Sequence, residues 1–288
     1  MGKFAVEVHN LRKNFGKVQA LNGINLKIET GQIYGFLGPN GAGKTTLIRT
    51  LIGATKISGG EVSVLGFDPQ KQKKELRKLI GYMPQTPALY EDISPRDNIK
   101  FFGGANISGD INKNVDQVID FVDLRSRMKD HVYTFSRGMK QRTSLACAMV
   151  NEPKILFLDE PTSGIDPQLR EVFWKHFRTL AEKGVTIFVS THQMDEAMYC
   201  DKLAVLHQGI LLADDSPRNL LWKKEARVRI WQNDKYYQVV FENYPEKLPA
   251  VLKKLGLDKR ITRIEIDETS LETVVLNLIE EKIEGRKE

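Results

Sequence analysis

Hydrophobic and polar positions alternate from Ala5 to Leu11 and again from Ile24 to Ile28. A period of two predicts short strands with one buried face, paired in an antiparallel layer. A different texture follows. From Gln32 to Leu37 the chain reads QIYGFL, a near-continuous apolar strand, and it runs through GPNGAGKTT at Gly38 to Thr46 into the helix-like LIRTLI of Leu47 to Ile52. Further buried strands are expected at Ile155 to Leu158, Val185 to Ser190 and Leu203 to Leu206, with helical stretches between them. That alternation predicts an α/β fold with a mostly parallel sheet. Between Gln85 and Asn151 the strand pattern disappears, and Asp116 to Val122 and Arg142 to Met149 carry apolar residues at three-and-four spacing. A helical subdomain at about 86–151 is therefore expected as an insertion.

After the turn signal Gln208-Gly209 and the stretch Asp214 to Pro217 the pattern changes again. Arg227 to Trp231, Tyr236 to Phe241 and Ile261 to Ile266 read as strands, with Pro249 to Leu255 and Leu271 to Ile283 as helices. The chain thus divides into a first domain over 1–220 and a small α+β appendage over 221–288.

With 288 residues, 41% hydrophobic and 28% charged, the chain can bury a full core and is no disordered tail. No apolar run approaches the roughly 18 to 20 residues of a membrane-crossing helix, and no signal-peptide core follows Met1, so a cytoplasmic location is expected. Cys147 and Cys200 form no metal or disulfide pattern and read as packed small thiols. The net charge of +6 raises the question of a nucleic-acid partner. Charges of both signs are interspersed, however, and the richest run, KQKKELRK at Lys71 to Lys78, reads as a solvated loop or helix face. No nucleic-acid partner is expected.

The candidate chemistry begins at Gly38 to Thr45, which matches GxxxxGK[ST]. Gly38, Pro39, Asn40, Gly41, Ala42 and Gly43 form a loop whose backbone N–H groups can turn toward a polyphosphate, with few side chains in the way. Lys44 brings a positive charge to the terminal phosphates, Thr45 offers a hydroxyl to Mg²⁺, and Thr46 continues into a helix whose N-terminal dipole favours the same anion. Downstream, the strand ILFL ends in Asp159-Glu160, two carboxylates at the carboxyl edge of the sheet. Asp159 is a candidate Mg²⁺ ligand. Glu160 is a candidate general base for a water attacking a phosphoryl group.

Together with further segments of the chain these residues resemble the nucleotide-binding domain of ABC ATPases, over about residues 4–218. FSRGMKQ at Phe135 to Gln141 is similar to the family signature LSGGQ: Ser136 and Gly138 match, while Arg137 and Met139 replace its first glycine and its glutamine. The resemblance implies a P-loop NTPase cassette, with a mostly parallel core, an N-terminal antiparallel layer and an inserted helical subdomain. It also implies that Ser136 and Gly138 reach the ATP held by a second copy. Phe15 takes the place of the aromatic that stacks on adenine, Gln85 that of a glutamine reaching Mg²⁺, Asp166 that of an aspartate reading the partner copy, and His192 that of a switch histidine gripping the γ-phosphate. His9, His131, His176 and His207 have no such support.

ATP and Mg²⁺ are the cofactors so implied. The implied activity is ATP hydrolysis by a head-to-tail pair at the cytoplasmic face of a membrane, powering a permease on a separate chain. The SRGMKQR variant is similar to ABC-2 type exporter subunits, and TSLETVVLNL at Thr269 to Leu278 looks like the closing helix of the small domain found in many of them. The alternatives are a soluble non-transport ABC ATPase and an ATP-sensing regulatory module.

Overall fold

The computed structural model describes residues 3–104, 111–222, 225–232, 235–242, 244–255, 261–268 and 270–284. Thr269, which the sequence reading joins to the closing helix, lies outside them.

Strands β1 (Phe4–Phe15) and β2 (Val18–Glu29) form an antiparallel hairpin, each longer than its alternating pattern predicts. The pattern stops early for a physical reason. Between Val8 and Leu11 the register shifts, with Asn10 at φ 45°, so the buried set slips while the ladder continues to Phe15↔Val18. Next in the chain come β3 (Ile33–Leu37), α1 (Lys44–Leu51) and β4 (Gly59–Val64), the last pairing with β1 to give the layer order β2-β1-β4. The short helix α2 (Lys73–Arg77) lies within the basic run, and only its Leu76 is buried.

Strand β5 (Ile80–Met83) leads into the helical subdomain: α3 (Pro95–Gly104), α4 (Ile111–Phe121), two short 3-10 turns and α5 (Arg137–Met149). The chain then alternates through β6 (Ile155–Asp159), α6 (Pro167–Glu182), β7 (Thr186–Thr191), α7 (Met194–Ala197), β8 (Lys202–His207) and β9 (Ile210–Asp215). A six-stranded sheet results, in the order β5-β6-β7-β3-β8-β9, parallel from β5 to β8 and closed by the Gln208-Gly209 hairpin. Strands β3, β6 and β7 are buried along their whole length, which is why they read as continuous apolar runs rather than alternations. Their two faces pack into separate cores. One holds Leu156, Leu158, Ile187 and Val189 with the apolar faces of α4, α5 and α6; the other holds Phe36, Phe157 and Phe188 with α1 and the antiparallel layer.

The chain divides into two compact units, Met1–Asp214 and Asp215–Glu288. The break falls six residues before the one expected at 220. The reason is α8 (Pro217–Trp222): Ser216 caps it, accepting from the Asn219 N–H at 3.1 Å, and the helix packs on α10 (Leu271–Glu284) of the second unit. That unit also contains β10 (Glu225–Gln232), β11 (Lys235–Glu242), α9 (Tyr244–Leu255) and β12 (Ile261–Glu268), its sheet ordered β11-β10-β12. Helix α9 starts five residues earlier than the sequence suggests. Pro245 rather than Pro249 takes the first turn, where a missing N–H costs least, and Pro249 lies inside the helix. Among the described residues no helix is long and apolar enough to cross a membrane.

Candidate functional site

At the carboxyl end of β3, between β7 and β8, the chain turns through the glycine-rich loop into α1. The helix starts at Lys44, three residues before the first residue of the expected helix, so Lys44 and Thr45 stand on its first turn, where backbone N–H groups have no partner within the helix. Gly43 caps it at φ 110°, a left-handed conformation that glycine adopts freely, and a Cβ there would lie 2.7 Å from the Ala20 carbonyl. Above the loop opens a cavity of about 560 Å³. Its wall is made by Asn40 to Thr46, Gln85 and Glu160, together with Val18 to Ala20 and Gln208-Gly209.

Gly38 and Pro39 are not on that wall. Their carbonyls accept from the Lys44 ammonium at 2.6 and 3.2 Å, folding the lysine back onto its own loop. Burial holds the Lys44 pKa below its ordinary value, and the nearby carboxylates of Glu160 and Asp159 offset part of that shift. A nucleotide phosphate would replace the two carbonyls as the partner of the charge.

Asp159 ends β6 and is fully buried. One of its oxygens accepts from the Thr45 hydroxyl at 2.7 Å, the other from the Ser190 hydroxyl of β7. The next residue, Glu160, has φ 52°, sparsely allowed for a side-chain-bearing residue. Three contacts hold it there: its N–H donates to the Ser190 carbonyl and hydroxyl, both at 3.1 Å, while its carbonyl accepts from the Gln141 side chain of α5 at 3.0 Å. The carboxylate is nearly buried and lies 3.3 Å from Nδ1 of the half-exposed His192. Sequence reasoning assigned no role to Ser190 or Gln141. The signal for Ser190 was its place as the polar residue ending an apolar strand; Gln141 stood in the quoted signature without a partner.

The remaining candidates lie elsewhere. Ser136 is the N-cap of α5, its hydroxyl accepting from the Met139 N–H at 3.3 Å, and it is not on the cavity wall. Gly138 is packed so closely that a Cβ would come within 2.9 Å of the Gly164 carbonyl. Arg137 leans over the same turn, 3.4 Å from the Ser163 hydroxyl. Asp166 caps α6, accepting from the Gln168 and Leu169 N–H groups. Phe15 is 52% exposed, so it is no core residue; Lys13 lies 4.4 Å from its ring centre, and the ring is outside the cavity wall, beside Val18 in the hairpin register. Cys147 and Cys200 have thiol pKa values raised by burial and lie in the core, away from the loop.

A strand, phosphate loop and helix at a sheet switch point, with a carboxylate pair at the end of β6, one strand beyond the neighbouring β7, define a P-loop nucleotide-binding cassette. The ABC transporter family description matches residues 21–163. The probable multidrug ABC transporter ATP-binding protein YbhF of Escherichia coli (strain K12) is 39% identical over 221 residues, 76% of this chain and 38% of that protein, so the chain spans little more than a third of that relative's length. The Nod factor export ATP-binding protein I of Rhizobium sp. (strain N33) is 38% identical over 224 residues, 77% of this chain and 74% of that protein. Among solved structures, cbiO1 from Clostridium perfringens, described as part of the ABC transporter complex cbiONQ, superposes with a TM-score of 0.67 at 30% identity, covering 76% of this chain and 91% of that one. The chain belongs to the ABC transporter family, among its ATP-binding proteins.

Proposed function

We propose that the chain hydrolyses ATP at the Lys44 loop with Glu160 as general base, works as a head-to-tail pair, and drives a membrane permease carried on a separate chain, as an exporter. The observation that carries this reading is that Lys44, Thr45 and Glu160 line one cavity, with Asp159 bonded to Thr45 and His192 beside Glu160, while Ser136 and Gly138 are off its wall. Each chain then has a loop that grips a triphosphate and a helix tip free to seal the site of a twin.

Mg²⁺ suits the oxygen donors present. The Thr45 hydroxyl and Asp159 carboxylate are in contact, and the Gln85 side chain stands on the same wall; a Mg²⁺ site commonly takes one or two protein oxygens and completes its shell with phosphate and water. The ion would neutralise charge on the terminal phosphates. The residues of the chain do the rest. Lys44 leaves its loop carbonyls for the phosphates, the backbone N–H groups of Gly41 to Thr45 bind phosphate oxygens, and Glu160 orients a water and takes its proton. His192, within reach of Glu160, contacts the γ-phosphate. Phe15 and Val18 offer an apolar edge to the adenine.

The relative named for Nod factor export supports the exporter reading, and the similar cassette described as part of a transporter complex supports the permease. The helical subdomain offers a surface for it: Tyr90, Phe101 and Phe102 form an exposed aromatic cluster, with ring centres 4.8 Å apart for Tyr90 and Phe101. Such a location would place the cassette at the cytoplasmic face of the membrane. Steady-state hydrolysis of MgATP by Glu160→Gln tests the core of the reading. A fall of about 10²- to 10⁴-fold with ATP binding retained is expected; activity near wild type removes Glu160 as the base.

A further inference from the structure

Glu196 is a deeply buried carboxylate off the wall of the nucleotide cavity, 1% exposed, and nothing in the reaction as described uses it. It sits on α7, four residues after His192. One of its oxygens accepts from the Thr191 hydroxyl at 2.7 Å, and the other accepts from the hydroxyl of Thr162. Both threonines are 1% exposed. Their positions give the contact its meaning: Thr191 immediately precedes His192, and Thr162 follows Glu160 by two residues in the turn closed by the Ser163 N–H to Glu160 carbonyl bond.

A second group reinforces the link. Arg170 of α6 places Nε 3.6 Å from the Glu196 carboxylate, and that buried nitrogen has no hydrogen-bond partner of its own. The other end of the guanidinium donates to the Gln193 side chain, on the far side of His192. The Gln193 N–H in turn donates to the Thr191 hydroxyl at 3.0 Å. The residues before and after His192 are thus both tied, through Glu196 and Arg170, to the turn that leaves Glu160.

We propose that Glu196 is a positioning residue for hydrolysis: by bridging Thr162 and Thr191 it fixes the approach of His192 to the Glu160 carboxylate. The inference rests on the assignment of Glu160 and His192 to the reaction. The bridge matters because the two groups come from different strands, and beyond the Glu160 N–H bonds to Ser190 it ties the turn after Glu160 to the residue just before His192, whose ring lies 3.3 Å from the Glu160 carboxylate. Glu160 is anchored at its backbone to β7 and α5, which fixes where the residue starts; the turn after it and the loop before α7 are held to each other by Glu196. An error of about 1 Å in such an approach costs on the order of a hundredfold in rate.

The test is Thr162→Val, which keeps the shape and removes the hydroxyl, measured beside Thr162→Ser, Glu196→Asp and Glu160→Gln in the full chain. For Thr162→Val, kcat for MgATP is expected to fall roughly ten- to a hundredfold with KM within about twofold. Serine should restore kcat to within about threefold of wild type. Glu196→Asp, one methylene too short to reach both hydroxyls, should show the same split, which covers the case of a valine variant that does not fold. Adding Thr162→Val to Glu160→Gln should cost little more, since the group being positioned is already gone. An unchanged kcat in Thr162→Val, a loss carried by KM, a loss serine does not repair, or multiplicative losses in the double variant would each overturn the proposal. Near-normal activity of Glu160→Gln by itself instead overturns the base assignment, and so tells the two failures apart.

Discussion

At the scale of single residues, the site is built from groups held away from their ordinary state. Glu160 stands at φ 52°, a conformation that costs of order 1–3 kcal/mol, offset by Ser190 and Gln141 at its backbone. Lys44 is buried and its pKa is held down, so its cation persists only to a lower pH than an ordinary lysine's 10.5. The sign is set by burial, the largest influence: the charge is present below the lowered value and lost as pH rises through it. Because kcat/KM reports groups of the free enzyme, its alkaline limb for MgATP is expected below the normal lysine range, whereas kcat, measured with phosphate beside the ammonium, should hold to higher pH. A kcat/KM profile flat up to pH 10.5 would contradict the assignment.

At the scale of elements, α3 and α4 are held by charge as well as by their apolar faces. Asp116 of α4 accepts from Arg96 of α3 at 2.6 Å and from Arg125 at 2.7 Å, and these two guanidinium groups lower its pKa to about 2. A depressed carboxylate adds stability above its ordinary pKa of 3.8 and loses it as pH falls toward 2. Wild type should therefore be more stable than Asp116→Asn at neutral pH, by a margin that closes as urea midpoints are followed from pH 5 to 2; a constant gap would sink this reading. The same scale shows what was legible in advance. Strands β3, β6 and β7, buried on both faces, spell themselves as apolar runs, and the phosphate loop declares itself because its mechanism restricts it to glycines, one lysine and one hydroxyl. The β1–β2 bulge was hidden, since a register slip at Asn10 leaves no local mark in the pattern. So were Ser190, Gln141 and Glu196, which act through partners 30, 19 and 34 residues away in the chain. Only folding brings such pairs together.

At the scale of the whole molecule, the cassette offers two surfaces beyond its cavity. The first is the aromatic cluster of Tyr90, Phe101 and Phe102 on the helical subdomain. Phe101→Ser should leave basal ATP hydrolysis within about twofold while lowering retention of the co-expressed permease; equal retention would remove the cluster as the docking surface. The second surface is the tip of α5, where the exposed Ser136 caps the helix two residues before Gly138. If that tip seals the triphosphate held by a twin, bound ATP favours the closed pair and its hydrolysis releases it. Slowing hydrolysis should then trap the pair. The most direct measurement is the solution mass of Glu160→Gln by sedimentation velocity, with and without MgATP, beside the same variant carrying Lys44→Ala. The account predicts twice the chain mass for Glu160→Gln only when MgATP is present, and a single-chain mass for the doubly substituted protein throughout. A Glu160→Gln protein that remains a single chain at saturating MgATP would contradict it.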